Sequence, residues 1–478
     1  MTTMTAPIAT LEDLRGRRAL VLGLARSGTA VARMLADAGA DVAAYDRRPP
    51  AELAEAVQAL GGRSVRLALG VSADEARTLI GAADLLVTSP SISPTMPTTD
   101  AWLRAAINEA VGRGVELVSE VELFLRLTSA RVLAVTGTKG KTTTASLIGA
   151  IMDAAGMAHL VGGNIGRPLI DELERLGPGD WAVLELSELQ LPTISRGAEI
   201  AVYTNIGADH IDRHGTEEAY RAVKARLAEL SVRHGHVVLN ADDPGSRELG
   251  ARLPAASIAW YALVSDDAWM AARLVDGWLT IRGERVLAAA EVPIPGRHTL
   301  ADALAAALGA SLAGASNEAI AAGIRDFGGV PHRLERVMTR QGVAWVNDSQ
   351  ATIPMAAIAA LEAFAPAEVV LIAGGKDKGL DYGAFADAIA RRCRAAVLIG
   401  ETAGRLEELI ARRVPVVRAE AMRDAVAAAA AWATAGDVVV LAPAAASFDM
   451  FDDYAARGDA FRAAVRALDA AEPMEPDA

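Results

Sequence analysis

A single cysteine, Cys393, stands in 478 residues, so no disulfide can form within the chain and a reducing compartment suits it. Aromatic residues are scarce too, 4% against 52% hydrophobic overall, because alanine supplies much of the apolar content; that content is still ample for large cores. No apolar run approaches the ~18 residues of a membrane span, and no charged-then-apolar leader opens the chain. A soluble, cytoplasmic protein with no membrane partner is expected. Positive charge is in deficit, with 47 Lys and Arg against 60 Asp and Glu and a net charge of −13. This balance excludes a general nucleic-acid binder, whose phosphate contacts need a basic face. It leaves room for an anionic small substrate in a locally basic pocket. No repeat of 20–50 residues is present, and at roughly 150 residues per domain the length predicts about three domains.

What the chain does have is Val135-Thr-Gly-Thr-Lys-Gly-Lys-Thr-Thr-Thr144. The apolar run Arg131-Val-Leu-Ala-Val135 before it reads as a buried strand, and Ala145-Ser-Leu-Ile-Gly-Ala-Ile-Met152 after it reads as a helix. A glycine-rich turn between strand and helix aims backbone N–H groups and the positive helix end at one point, where an anion can sit. Lys141 would reach the outer phosphates of a nucleotide and the Thr142 hydroxyl its magnesium. The general pattern wants glycine at position 135, where this chain has valine. Phosphoryl chemistry on ATP is the working expectation, with a structural turn as the bland alternative.

Three strand–helix blocks surround and include this loop. The first runs through Arg18-Ala-Leu-Val-Leu-Gly23, the turn to Gly28, a helix from Thr29 to Gly39, the strand Asp41–Tyr45 and the strand Asp84–Thr88. It opens like a dinucleotide site but carries Ala25 where the fingerprint wants its middle glycine, so a nucleotide-sugar site, plain doubly wound packing and a nicotinamide site stay open. The middle block continues through Asp180–Leu186, Ile200–Asn205 and His236–Asn240, and the stretch from Ala256 to Glu291 is expected to be a small antiparallel excursion. The last block offers strands at Val343–Asn347, Val369–Ala373, Ala396–Gly400 and Asp437–Leu441, with a helix from Met422 to Thr434. Alternation of strand and helix throughout predicts an α/β fold with parallel sheets.

Polar residues at expected strand ends mark the chemistry. Glu185 and Asn205 end strands of the middle block, and Asp209-His210-Ile-Asp212-Arg213-His214 follows. Oxygen ligands there could complete a magnesium shell, although His210 is a softer ligand than magnesium normally takes. In the last block Asn347-Asp-Ser-Gln-Ala-Thr352, Gly374-Gly-Lys-Asp-Lys378 and Ala442-Pro-Ala-Ala-Ala-Ser-Phe448 suggest a surface for a small charged molecule, against a reading as ordinary turn chemistry.

These residues resemble the Mur ligase family, the ATP-dependent amide-forming enzymes of peptidoglycan synthesis, and within it the branch that adds glutamate. The resemblance covers essentially the whole chain in order: Gly137-Thr-Lys-Gly-Lys-Thr-Thr143, Gly163-Asn-Ile-Gly166, Glu185-Leu-Ser187, Thr204-Asn-Ile-Gly-Ala-Asp-His210-Ile-Asp-Arg213, Tyr220-Arg-Ala-Val-Lys224, Pro331-His-Arg333, Asn347-Asp-Ser349, Gly374-Gly375, Leu441-Ala-Pro443 and Ser447-Phe448. It implies three domains: an N-terminal Rossmann-like domain for a UDP-sugar over 1–119, a central P-loop ATPase with a mainly parallel sheet over 120–329, and a C-terminal Rossmann-like domain for the amino acid over 330–478. It implies an ADP-forming acid–amino-acid ligase that works as a monomer on UDP-N-acetylmuramoyl-L-alanine and glutamate with ATP and Mg²⁺. Lys141, His210 and Lys224 would be catalytic, and Lys224 would be carbamylated; without the family it would read as a helix-surface lysine. One magnesium ion would involve Thr142 and Glu185, the other His210 and Lys224. ATP would lie on Gly137, Thr138, Lys139, Gly140, Lys141, Thr142 and Thr143 with Asp302, His332, Arg333 and Asp348. The UDP-sugar would lie near Arg26, Ser27, Asp46 and Arg47, with Asn164 and His210 at the acceptor's inner end. The amino acid would meet Gln350, Thr352, Lys378, Ser447, Phe448 and Tyr454.

Two motifs depart from the family. Its usual Ser-Lys-Ala-Thr-Asn is Ser349-Gln-Ala-Thr-Ile353 here, so Gln350 stands where a lysine normally meets a substrate carboxylate. Its usual Gly-x-His-Asn-x-x-Asn is Gly296-Arg-His-Thr-Leu-Ala-Asp302. D-glutamate is the expected amino acid, with the same reaction on L-glutamate as the alternative. More remote are a folylpolyglutamate synthase, which begins with its ATPase domain, and a nicotinamide-dependent oxidoreductase, which the Gly-Lys-Thr loop disfavours.

Overall fold

Short apolar runs bounded by Gly, Asp and Ser form strands, and the alanine-rich stretches between them form helices, the alternation that covers parallel sheets on both faces. The computed structural model describes residues 8–470 apart from Met96, 165–167, 208–213, Gly215, Asp266, Ala268, Ile294 and Pro295. The Asp209-His210-Asp212 cluster therefore lies outside the described residues. The chain divides into two compact units, Met1–Phe327 and Gly328–Ala478.

The first unit holds two sheets. Strands β1 (Arg18–Leu22), β2 (Asp41–Asp46), β3 (Val65–Leu69), β4 (Leu85–Thr88) and β5 (Glu116–Ser119) form one, in the order β3-β2-β1-β4-β5 with every pair parallel. The order reverses between β1 and β4, so the loops after these strands part and leave a crevice at their carboxyl ends.

The other sheet comprises β6 (Arg131–Thr136), β7 (His159–Gly163), β8 (Trp181–Glu185), β9 (Ile200–Tyr203), β10 (His236–Asn240), β11 (Ile258–Ala262), β12 (Ala272–Val275), β13 (Trp278–Ile281) and β14 (Glu284–Ala288). Its order is β14-β13-β12-β11-β10-β9-β6-β8-β7. The expected antiparallel excursion is corrected here: β11 and β12 extend the parallel ladder from β10, and only β12, β13 and β14 meander antiparallel. Two-residue turns at Asp276-Gly277 and Arg282-Gly283 make that meander. Both residues of each have positive φ, the primed turn whose twist matches the strands it joins.

The two sheets share a core. The helix Glu120–Leu127 contributes Val121, Leu123, Phe124 and Leu125, packed with Leu24, Val31 and Leu35 of the first block and with Ala182, Leu184 and Leu191 of the second.

In the second unit β15 (Glu335–Arg340), β16 (Val343–Asn347), β17 (Val369–Gly374), β18 (Cys393–Ile399), β19 (Val416–Arg418) and β20 (Val438–Leu441) are ordered β15-β16-β20-β17-β18-β19. Only β15 runs antiparallel to its neighbour. Both faces are buried: Leu371 and Ala373 look into one core with Phe385 and Leu406, and Val370 and Ile372 into another with Val426 and Phe461. The alanine run 427–431 lies inside the helix Met422–Trp432, as propensity suggests.

Candidate active site

In the crevice of the first sheet lies a cavity of about 590 Å³ lined by Tyr45, Asp46, Arg47, Arg48, Ser89, Ser91, Thr98 and Thr99 among others. Asp46, at the end of β2, accepts hydrogen bonds from the Leu24 N–H (2.9 Å), the Arg48 N–H (3.0 Å), Arg48 Nε (3.0 Å) and Arg48 Nη2 (2.8 Å). Burial alone would raise its carboxyl, but these bonds hold it below the usual carboxylate range. Asp46 thus fixes the turn after β1 and orients Arg48, a cavity residue the sequence reading did not single out. Arg47 is exposed and lines the cavity, and Arg26 and Ser27, which open the helix Arg26–Asp37, stand outside the lining.

The expected phosphate loop connects β6 to the helix Lys141–Ala154. Two residues beyond β9 hold it. The Asn205 carbonyl accepts from the Thr138 N–H (2.9 Å), and the Asn205 side chain accepts from the Lys139 N–H (3.0 Å) and donates to the Lys139 carbonyl (3.0 Å). The Thr138 hydroxyl meets Tyr220 Oη at 3.1 Å and accepts from the Gly207 N–H at 3.0 Å. Lys141 Nζ donates to the carbonyls of Gly137 (3.1 Å) and Thr138 (3.0 Å), which places an ammonium inside the loop at the helix's positive end. Thr142 and Thr143 follow it in the first turn, half-buried. Gly140 caps the helix in a left-handed conformation, and a Cβ there would lie 2.3 Å from Asp302 Oδ1. Asp302, on the helix Arg297–Ala313 and only 7% exposed, therefore packs directly on the phosphate loop, and burial pushes its carboxyl up to about 7 against the opposing pull of the Thr144 hydroxyl.

Beneath the loop a hydrogen-bond chain links the other candidates. Glu185 ends β8, buried; its Oε1 accepts from Asn164 Nδ2 at 2.9 Å, and the Asn164 N–H donates to its carbonyl at 2.8 Å. Glu185 Oε2 has no hydrogen-bond partner among the described residues. Lys224 lies on the helix Glu217–Ser231 with 0% exposure, so the surface-lysine reading is overturned. Its Nζ donates to Thr136 Oγ1 at 3.1 Å, and Thr136 Oγ1 donates to the Leu186 carbonyl, next to Glu185, at 2.8 Å. A buried carboxylate oxygen without a donor suits a hard cation such as magnesium, and the Thr142 hydroxyl is chemically apt for the same ion. No cluster of three or more His, Cys, Asp or Glu side chains able to hold a metal occurs among the described residues, and His210 lies outside them.

In the second unit the loop after β16 folds back on the turn before β15. His332 is buried, in the left-handed region (φ 63°), with Nδ1 3.1 Å from Asn347 Nδ2 and its ring edge-on to Tyr454 at 6.1 Å. Burial holds its imidazole below the usual range. Arg333 beside it is exposed. Asp348 accepts from the Leu334 N–H at 3.0 Å, and burial raises its carboxyl to about 6. The exposed Gln350 donates its N–H to the His332 carbonyl (3.0 Å) and accepts the Thr352 N–H (2.8 Å). The Ala444 N–H bonds the Ala351 carbonyl (2.9 Å) and the Lys376 N–H bonds the Ala446 carbonyl (2.9 Å). The loops bearing Thr352, Lys378 and the pair Ser447 and Phe448 thus adjoin. Ser447 is buried, Phe448 half exposed and Lys378 exposed. Lys376 is held 3.0 Å from Glu401.

The Mur ligase middle domain profile matches residues 135–310 and the Mur ligase glutamate ligase domain profile residues 332–445. The UDP-N-acetylmuramoylalanine–D-glutamate ligase of Solibacter usitatus is 41% identical over 457 residues, 95% of this chain and 99% of its own. Enzymes of the same name from Pelotomaculum thermopropionicum and Caldanaerobacter subterraneus are 39% and 37% identical, over 96% and 95% of this chain and 99% of each relative. With its phosphate loop and its buried lysine and glutamate inside those matched spans, the chain belongs to the Mur ligase family.

Proposed function

We propose that the protein uses ATP to join D-glutamate to UDP-N-acetylmuramoyl-L-alanine, forming a peptidoglycan precursor. The observation that carries the reading is the pairing of a phosphate loop with buried Glu185 and Lys224 beneath it, in a chain 41% identical end to end to a D-glutamate ligase. In the first step a terminal carboxylate oxygen of the acceptor attacks the γ-phosphorus of ATP, and ADP leaves. The amine nitrogen of glutamate then attacks the acyl carbon, phosphate leaves, and the nitrogen loses a proton to solvent.

Lys141 and the loop N–H groups stabilise charge on the transferred phosphoryl group. Thr142, Glu185, His210 and Lys224 would hold magnesium, which when bound adds positive charge beside the phosphates. Lys224 serves as a ligand once carbamylated: its amine nitrogen bonds to carbon dioxide, loses a proton and ends in an anionic oxygen pair. Full burial, with Nζ on Thr136 at the foot of the phosphate loop, sets Lys224 beside the candidate metal site rather than on a helix surface. The cavity at Asp46, Arg47 and Arg48 takes the uridine diphosphate, with Arg26 and Ser27 at its edge and Asn164 at the acceptor's inner end. In the first unit Asp302 would add an ATP contact beside the phosphate loop; in the second Arg333 would add another, on a loop that His332 and Asp348 shape. Gln350, Thr352, Lys378, Ser447, Phe448 and Tyr454 take the amino acid.

ADP release measured with acceptor alone, and with acceptor plus D-glutamate, L-glutamate or D-aspartate, tests the reading. Turnover is expected only with D-glutamate; release driven by L-glutamate alone would replace the amino acid and leave the mechanism standing.

A further inference from the structure

A fully buried arginine ties together the loops of the amino-acid site. Arg457, in the first turn of the helix Tyr454–Ala470, is 0% exposed. Its Nε donates to Ser349 Oγ at 3.0 Å and Nη2 to the Ser349 carbonyl at 2.9 Å, while Nη1 donates to the carbonyls of Ala445 (3.1 Å) and Ala446 (3.0 Å). Ser349 Oγ donates onward to the Tyr454 carbonyl at 2.7 Å, and the Ala446 carbonyl also accepts the Lys376 N–H. The guanidinium therefore joins the loop after β16 to the loop after β20, and through Ala446 reaches the loop after β17. Its neighbours in sequence at these contacts are Gln350 and Ser447.

Buried arginines are ordinarily paired with a carboxylate. Arg457 has four hydrogen bonds, all to neutral oxygens, and none to a carboxylate among the described residues; Asp449 attracts it only through space. Burial accordingly pulls its guanidinium down to about 10. The other cations on the loop after β17 are neutralised or exposed: Lys376 pairs with Glu401 and Lys378 stands in solvent.

We propose that Arg457 is the positioning residue of the amino-acid site: it locks the loops bearing Gln350 and Ser447 in register, and its uncompensated charge stands in for the cation missing at Gln350. The proposal rests on the ligase reading above. A dicarboxylate arriving at these loops would find a positive field already desolvated, acting through Ser349 and the Ala445–Ala446 backbone, and no direct contact with Arg457 is needed.

Steady-state kinetics of the full chain, with wild type, Arg457→Lys and Ser349→Ala, test it. Wild type must first release ADP in a D-glutamate-dependent way; failure there sinks the ligase reading itself. Given that activity, Arg457→Lys keeps the charge but loses the fork, so its KM for D-glutamate should rise about tenfold or more. Its KM for ATP and for the acceptor should stay within about twofold, and acyl phosphate formation without amino acid, followed by reductive trapping, should be unchanged. Ser349→Ala should raise the D-glutamate KM about threefold. An unchanged D-glutamate KM in Arg457→Lys, or a parallel rise in all three KM values, overturns the proposal. If that variant fails to fold, an unchanged D-glutamate KM in Ser349→Ala does the same.

Discussion

Replacing Asp302 by asparagine should stabilise the protein, and the gain should grow with pH. Asp302 is 7% exposed, packed against Gly140, and its carboxyl is raised from 3.8 to about 7 by burial. A carboxyl raised in the folded state takes up protons on folding, so its stability contribution is whole at low pH. It is lost as pH rises from the unfolded value near 4 through the folded value near 7. About three pH units separate the two states, each worth about 1.4 kcal/mol, so the ionised form carries a penalty of about 4 kcal/mol above pH 8. At pH 5 the folded group is still protonated and the penalty is under about 2 kcal/mol. Asparagine keeps the shape and removes the charge. Urea melts of wild type and Asp302→Asn at pH 5 and pH 8 should therefore show a gain larger by about 2–3 kcal/mol at the higher pH. An ionised Asp302 against the phosphate loop also repels the nucleotide's phosphates, so the KM for ATP should climb above pH 7 in wild type and stay flat in the variant. Equal stability gains at both pH values, or a wild-type KM for ATP indifferent to pH, would refute the reasoning.

Lys141→Ala should remove most ADP release, because the loop loses the ammonium held inside it at the helix's positive end; near-normal rates would misplace the nucleotide. Lys224→Ala should be nearly inactive and partly rescued by short carboxylic acids, whereas Lys224→Arg, which stays cationic, should not be rescued; full activity of either without supplement removes the carbamate from the mechanism. Arg48→Ala should raise the acceptor KM, since the turn after β1 loses the side chain that holds Asp46. Arg48 is partly exposed, so the stability loss should be only about 1–2 kcal/mol, and an unchanged acceptor KM would dissociate the cavity from the nucleotide-sugar.

Which strands could be read from the sequence follows from where they sit. β1, β6, β8, β9, β16, β17 and β20 are interior, buried on both faces, and stand out as unbroken apolar runs. β3, β5, β7, β15 and β19 went unread, and every one is a sheet edge. Val65–Leu69 and Val416–Arg418 show the reason: Arg66 and Arg418 face solvent and break the run, as edge strands commonly require. Ala256–Glu291 misled for a related reason. Its Asp-Gly and Arg-Gly turns announce hairpins, and they hid the parallel pairing of β11 with β10 that precedes them.

The site divides along the same physical line. Gly137 to Thr143 could be read because phosphate binding uses backbone and short range, so its whole device lies in one contiguous segment. Lys224 could not: its burial depends on β6 and β9 lying against the helix that carries it, contacts 88 residues apart in the case of Thr136. Arg457 is the extreme case, 108 residues from Ser349 and unremarkable in a helix of alanines and charges. A buried cation is unfavourable anywhere in sequence space unless tertiary structure supplies its partners. Lysines and arginines that end fully buried are therefore the residues for which local reading is most wrong and structure most informative. Among the described residues the two that do so, Lys224 and Arg457, each sit behind loops where an anionic substrate is expected.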